Sequence, residues 1–132
     1  MLTRVTSPLT QEVEEIVHRT IGCAIEVHKE LGAGFLENIY HKALRFELEH
    51  GRLKYESEWV VPIVYRGKLL HGHRIDLIVE KCVIVELKAV ERLERVHKHQ
   101  VVSYLKAANL RVGLLINFNT DWLKRSIRRI VL

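Results

Sequence analysis

A chain of 132 residues that is 48% hydrophobic carries enough apolar side chain for one domain around one core, and too much for a disordered segment. No apolar run approaches the roughly 20 residues of a membrane span, and the first residues lack the basic-then-apolar layout of a signal peptide. A cytoplasmic protein with no membrane partner is therefore expected. The formal net charge of +5 favours polyanionic partners such as DNA or RNA.

Residues 1–9 read as a short leader containing Pro8, and Thr10 is placed to cap a helix. Val13, Ile16, Val17, Ile21, Ala24, Val27 and Leu31 follow three-and-four spacing, which predicts a core-facing helix that Gly32 and Gly34 stop. A second helix is predicted from about Leu36, with Ile39, Tyr40, Ala43, Leu44 and Leu48 on its apolar side and Gly51 at its end. The two form a helical hairpin. From Leu53 the period changes: residues 59–65 are β-branched and aromatic and predict a strand, followed by a turn at Arg66-Gly67-Lys68. Pro62 cannot donate to a ladder, so this strand lies at an edge or carries a bulge.

Two further strands fill residues 75–88, joined by a turn at Glu80-Lys81. Helical spacing returns over 90–109, and 111–117 is a compact apolar strand of the kind buried on both faces. Beyond it, 120–124 fits a helical turn, while 126–132 fits a strand or a helix equally. A helix between two strands of one sheet makes a parallel crossover. The expected architecture is therefore an α/β (α+β) fold with a mixed sheet, in the order helix, helix, three strands, helix, strand, forming a single domain over 1–132.

The residues with chemistry cluster on the paired strands. Strand side chains alternate faces, so Glu86 and Lys88 project together while Leu87 points into apolar packing. Asp76, on the preceding strand, brings a second carboxylate within reach if its register puts it on the same face. Two carboxylates converging on one point repel each other, and a hard divalent cation with oxygen ligands, Mg²⁺ above all, removes that repulsion. The bland alternative is a Glu-Lys pair on a solvated strand end and an unrelated turn aspartate. Glu37 sits in the first turn of the second helix, where a carboxylate also suits the helix dipole. Gln100 and Tyr104, four apart, share a face of the third helix with His97, as an amphipathic surface would also have them.

Other metal chemistry is disfavoured. Cys23 and Cys82 lie in apolar patterns and read as reduced, buried thiols. His71 and His73 would share a strand face, but His97 and His99 diverge by about 200° on a helix and cannot chelate one ion, so a four-histidine zinc site is not expected.

Taken together, Gly34-x-x-Glu37-x-x-Tyr40 after His28-Lys29-Glu30-Leu31-Gly32, then Ile75-Asp76-Leu77, Ile84-Val85-Glu86-Leu87-Lys88-Ala89 and Gln100-x-x-x-Tyr104 resemble the GxxExxY family of the PD-(D/E)XK nuclease superfamily. The resemblance runs from about Thr10 to Asn117. It implies a restriction-endonuclease-like core, with Asp76, Glu86, the Leu87 carbonyl and Glu37 as metal ligands and Lys88 as the catalytic lysine. Gln100 and Tyr104 match a QxxxY pattern that supports the site or contacts nucleic acid. The superfamily's Pro-Asp pair is here Ile75-Asp76, which keeps the carboxylate.

The activity implied is Mg²⁺-dependent hydrolysis of DNA phosphodiesters in repair, recombination or defence, with Mn²⁺ as a substitute ion. A homodimer would be needed where both strands are cut. Basic residues such as Arg74, Arg92, Arg95, Lys98, Lys124, Arg125, Arg128 and Arg129 would meet phosphates. The rivals are a silent nucleic-acid-binding or assembly module on the same fold, and a structural partner in a larger complex.

Overall fold

The computed structural model describes residues 9–132, so the expected leader, Leu9 apart, lies outside the described residues. Helix α1 spans Gln11–Leu31 and is capped as expected: Thr10 Oγ1 accepts the Val13 N–H at 3.2 Å, and Glu12 and Glu14 sit at the positive end of the dipole. Gly32, at φ +66, ends it in a conformation that favours glycine. Helix α2, Glu37–His50, follows after a short loop. Tyr40 pins that loop: its hydroxyl donates to the Gly32 carbonyl at 2.6 Å and accepts the Phe35 N–H at 3.2 Å, while its ring stacks on Phe118.

Seven strands follow: β1 (Tyr55–Val60), β2 (Ile63–Tyr65), β3 (Lys68–Leu70), β4 (Arg74–Val79), β5 (Val83–Lys88), β6 (Val112–Asn117) and β7 (Ile127–Val131). Helix α3, Arg95–Ala108, links β5 to β6, and a 3₁₀ turn at Leu123–Ser126 precedes β7. The main sheet has the order β1-β4-β5-β6-β7. Only the β5–β6 pair is parallel, as a helical crossover requires, so the fold is mixed α/β. One face packs Leu77, Val85, Leu87 and Leu114 against Val17, Val27 and Leu44 of α1 and α2, and the other packs Ile75, Ile84 and Leu115 against Val101 and Leu105 of α3. Gly113 lets α3 approach this closely, since a Cβ there would meet Val101 Cγ1 at 2.6 Å. Among the described residues no helix is long and apolar enough to cross a membrane.

Several expectations are corrected. The single strand expected over 59–65 is broken at Pro62, where the Ile63 N–H turns back to the Val61 carbonyl at 3.0 Å. Tyr55–Val60 joins the main sheet, whereas Ile63–Tyr65 pairs only with β3 in a separate hairpin. Five strands therefore precede α3 instead of three, and three of them lie in the main sheet. Helix α3 starts at Arg95 and not near Val90, because Asn117 grips both the N–H and the carbonyl of Val90 at 3.0 and 2.9 Å and holds that segment against β6.

Of residues 126–132, Ile127–Val131 form a strand, since β6 is buried along its whole length and its outer edge needs a partner. His71 and His73 lie outside any strand, so their shared strand face does not exist. Cys23 and Cys82 are free thiols, but only half-buried at the rim of the α1/α2 core.

Candidate active site

The site forms where the β4–β5 ladder opens. Paired residues run from Val79↔Val83 to Leu77↔Val85 and stop. Beyond that point the backbone bonds are replaced by side chains: Glu86 Oε1 accepts the Asp76 N–H at 3.0 Å, and Asp76 Oδ2 accepts the Leu87 N–H at 2.8 Å. The β1–β4 ladder skips the same place, with Glu58 falling between Ser57↔Leu77 and Trp59↔Ile75 at a φ of +55. The alternation of β4 also resets there, since Ile75 and Ile78 pack toward α3 while Leu77 and Val79 pack toward α1 and α2. Asp76 thus occupies a kink whose backbone is unpaired by strands on either side.

Leu87 points into the α1/α2 core, so Glu86 and Lys88 turn toward α3. Lys88 Nζ donates to Gln100 Oε1 at 3.2 Å and stands 3.8 Å from Glu86 Oε2. Tyr104, one turn beyond Gln100, places its hydroxyl 2.9 Å from His73 Nδ1. Burial and the charge of Glu86 push this hydroxyl up to about 12, which leaves it protonated and able to donate. Glu86 is only 3% exposed, and its burial, followed by the Asp76 carboxylate, pushes its carboxyl up to about 8. Asp76 is also raised, first by burial, against the opposing pull of its Leu87 hydrogen bond and the nearby His41 and Lys88. Glu37, at the head of α2, is raised by loss of water and then by Asp76, which places its carboxylate in the same field. Asp76, Glu86, Lys88, Glu37, Gln100 and Tyr104 therefore lie close enough to act on one another through hydrogen bonds or charge.

Two members escaped sequence reasoning. Ligand atoms of His41, Glu58 and Asp76 lie within 4.8 Å of one another. His41 is one helical turn beyond Glu37 and so shares its face, a signal that was present in the spacing. Glu58 carried none, because its approach depends on the positive φ in β1. His41 Nε2 lies 3.1 Å from the Asp76 carbonyl oxygen. A carbonyl only accepts, so in the tautomer with its proton on Nε2 His41 holds the backbone of Asp76 and keeps a lone pair on Nδ1. The other donors, Asp76, Glu86, Glu37 and Glu58, are all carboxylates. Their crowding is what a hard divalent cation would relieve, so the donor set fits such an ion.

Of the basic residues, Arg129 is committed to an ion pair with Glu14 on α1, and Arg125 covers the Trp122 ring. Arg92 and Arg128 line a small cleft with Asn117, which is paired with Lys88 in the sheet register.

A family model described as the PD-(D/E)XK nuclease superfamily matches residues 14–130. No curated protein and no solved structure matches the chain. The match spans both helices of the hairpin, the kinked β4, the Glu86-x-Lys88 strand and α3, and with it this chain belongs to the PD-(D/E)XK nuclease superfamily.

Proposed function

We propose that the chain is a metal-dependent deoxyribonuclease of the GxxExxY group. The observation that carries this reading is the opened hairpin, where Asp76 and Glu86 crowd together with an ammonium group 3.8 Å from one of them. Asp76 and Glu86, with Glu37 and the Leu87 carbonyl, would hold Mg²⁺, or Mn²⁺ in its place. Such an ion, when bound, polarises a scissile phosphate and lowers the pKa of a coordinated water. Lys88, steered by Gln100, orients that water or stabilises the charge that builds on the phosphate. Tyr104 backs the site with a protonated hydroxyl, and flanking phosphates would compete with Glu94 for Arg92 and with the Arg125 carbonyl for Arg128.

The test is incubation of the pure protein with linear, circular, single-stranded and branched DNA in Mg²⁺, Mn²⁺ or EDTA. Metal-dependent cleavage is expected, and cutting of closed circles would establish endonuclease action. Binding without turnover in either metal would replace this reading with that of a silent binding module on the nuclease fold.

A further inference from the structure

A concavity of about 920 Å³ lies between the β2–β3 hairpin and α3 and has Lys88 in its lining. That volume is near the top of the roughly 300–1,000 Å³ range of ligand clefts. Its two walls differ in chemistry. The hairpin side is apolar, formed by Val61, Ile63 and Val64, and Val64 is 66% exposed. The α3 side is mixed, with Val96 and Ala107 beside Gln100, Ser103 and Lys106, and among the described residues no aspartate or glutamate lines the groove. Glu37, Glu58 and Asp76 instead line a separate cleft, together with His41, Lys42 and Arg45.

A polyanion fits a groove free of acids, and the apolar wall says which kind. In a duplex the base faces are stacked on one another and the outer surface offers phosphates, so an exposed apolar wall has no counterpart. Unpaired bases offer their flat apolar faces, which can pack on the aliphatic hairpin wall and on the Tyr104 ring among the lining residues. We propose that this groove holds an unpaired run of nucleotides, with bases against the hairpin and phosphates along α3, and feeds it to Lys88. The substrate is then a single strand or a single-stranded end, not a continuous duplex. This rests on the nuclease reading above for its direction, but binding can be measured apart from cleavage.

The experiment is fluorescence anisotropy in EDTA, with a short oligothymidylate, the same backbone made abasic, and a duplex of equal phosphate number. The oligothymidylate should bind at least about tenfold more tightly than either comparison, the scale of one stacked base. Val64→Ser and Ser103→Glu, on opposite walls and both exposed, should each weaken oligothymidylate binding about tenfold while leaving the thermal midpoint and Mn²⁺ affinity unchanged. Equal binding of the abasic and intact strands, or equal binding of the duplex, would overturn the proposal. Base-dependent binding without cleavage would uphold the groove and remove the nuclease reading, whereas cleavage with base-independent binding would do the reverse.

Discussion

Asp76 and Glu86 cap the amides that the opened ladder leaves bare: the Glu86 carboxylate takes the Asp76 N–H at 3.0 Å, and the Asp76 carboxylate takes the Leu87 N–H at 2.8 Å. Each residue therefore has a structural duty besides any ligand duty, and substitutions must be chosen to separate the two. Asp76→Asn keeps an oxygen acceptor for Leu87 but removes charge, whereas Asp76→Ala leaves a buried amide bare at a cost of about 1–3 kcal/mol. Both variants should bind Mn²⁺ at least about tenfold more weakly by calorimetry, and only the alanine should also lower the unfolding midpoint clearly. Unchanged Mn²⁺ affinity in the asparagine variant would remove Asp76 from the ligand set.

Lys88→Met keeps most of the side-chain stem and deletes the charge. The expected result is a folded protein that still binds Mn²⁺ and DNA but cleaves about 100-fold to 1,000-fold more slowly, the usual loss for one group that stabilises transition-state charge. Metal affinity should hold or rise, because a cation 3.8 Å from a carboxylate no longer opposes the ion. Cleavage at the wild-type rate would show that the lysine takes no part in the chemistry.

The raised carboxyl of Glu86 makes stability depend on pH. Its folded pKa of about 8 lies above the ordinary value of 4.5, so between these values the folded protein keeps a proton that the unfolded chain has released. Stability in EDTA should accordingly fall as pH rises from about 4.5 to about 8, by at most about 1.4 kcal/mol per unit for this one proton, and level off above. Glu86→Gln should flatten that slope in urea titrations. By the same linkage, binding of a divalent ion near neutral pH should release a proton, visible as a dependence of the binding heat on the buffer.

Tyr40 closes the loop that aims α2, through its bonds to Gly32 and Phe35. Tyr40→Phe keeps the stack on Phe118 and removes only the hydroxyl, so it should cost about 1 kcal/mol in chemical denaturation. A neutral result would mean that the ring alone sets the loop.

Gly113→Ala should destabilise by about 1–3 kcal/mol, since the new methyl meets Val101 Cγ1 at 2.6 Å and α3 has to move off the sheet. Gln100 and Tyr104 ride on that helix, so cleavage should fall along with stability. Val101→Ala in the same protein should recover part of both, and failure of this rescue would point to strain elsewhere in β6.

The sequence by itself determined what depends on local period and residue chemistry. The spacing of Val13 to Leu31 specified a helix, and period-two alternation put Glu86 beside Lys88 and away from Leu87. The apolar run at 112–117 specified a strand buried on both faces. Tertiary structure alone decided what depends on register and on contacts between distant segments. The break at Pro62 was legible as a fault, but its outcome, a separate hairpin walling a groove, depended on where β1 found β4. The late start of α3 depended on Asn117, which is distant in sequence from the Val90 it holds. Glu58 reached the site through a positive φ that no side-chain pattern announces, and the kink at Asp76 arose because neither neighbouring strand could stay paired there. Periodicity reports which face a residue prefers; only closure of the sheet decides which other residues share it.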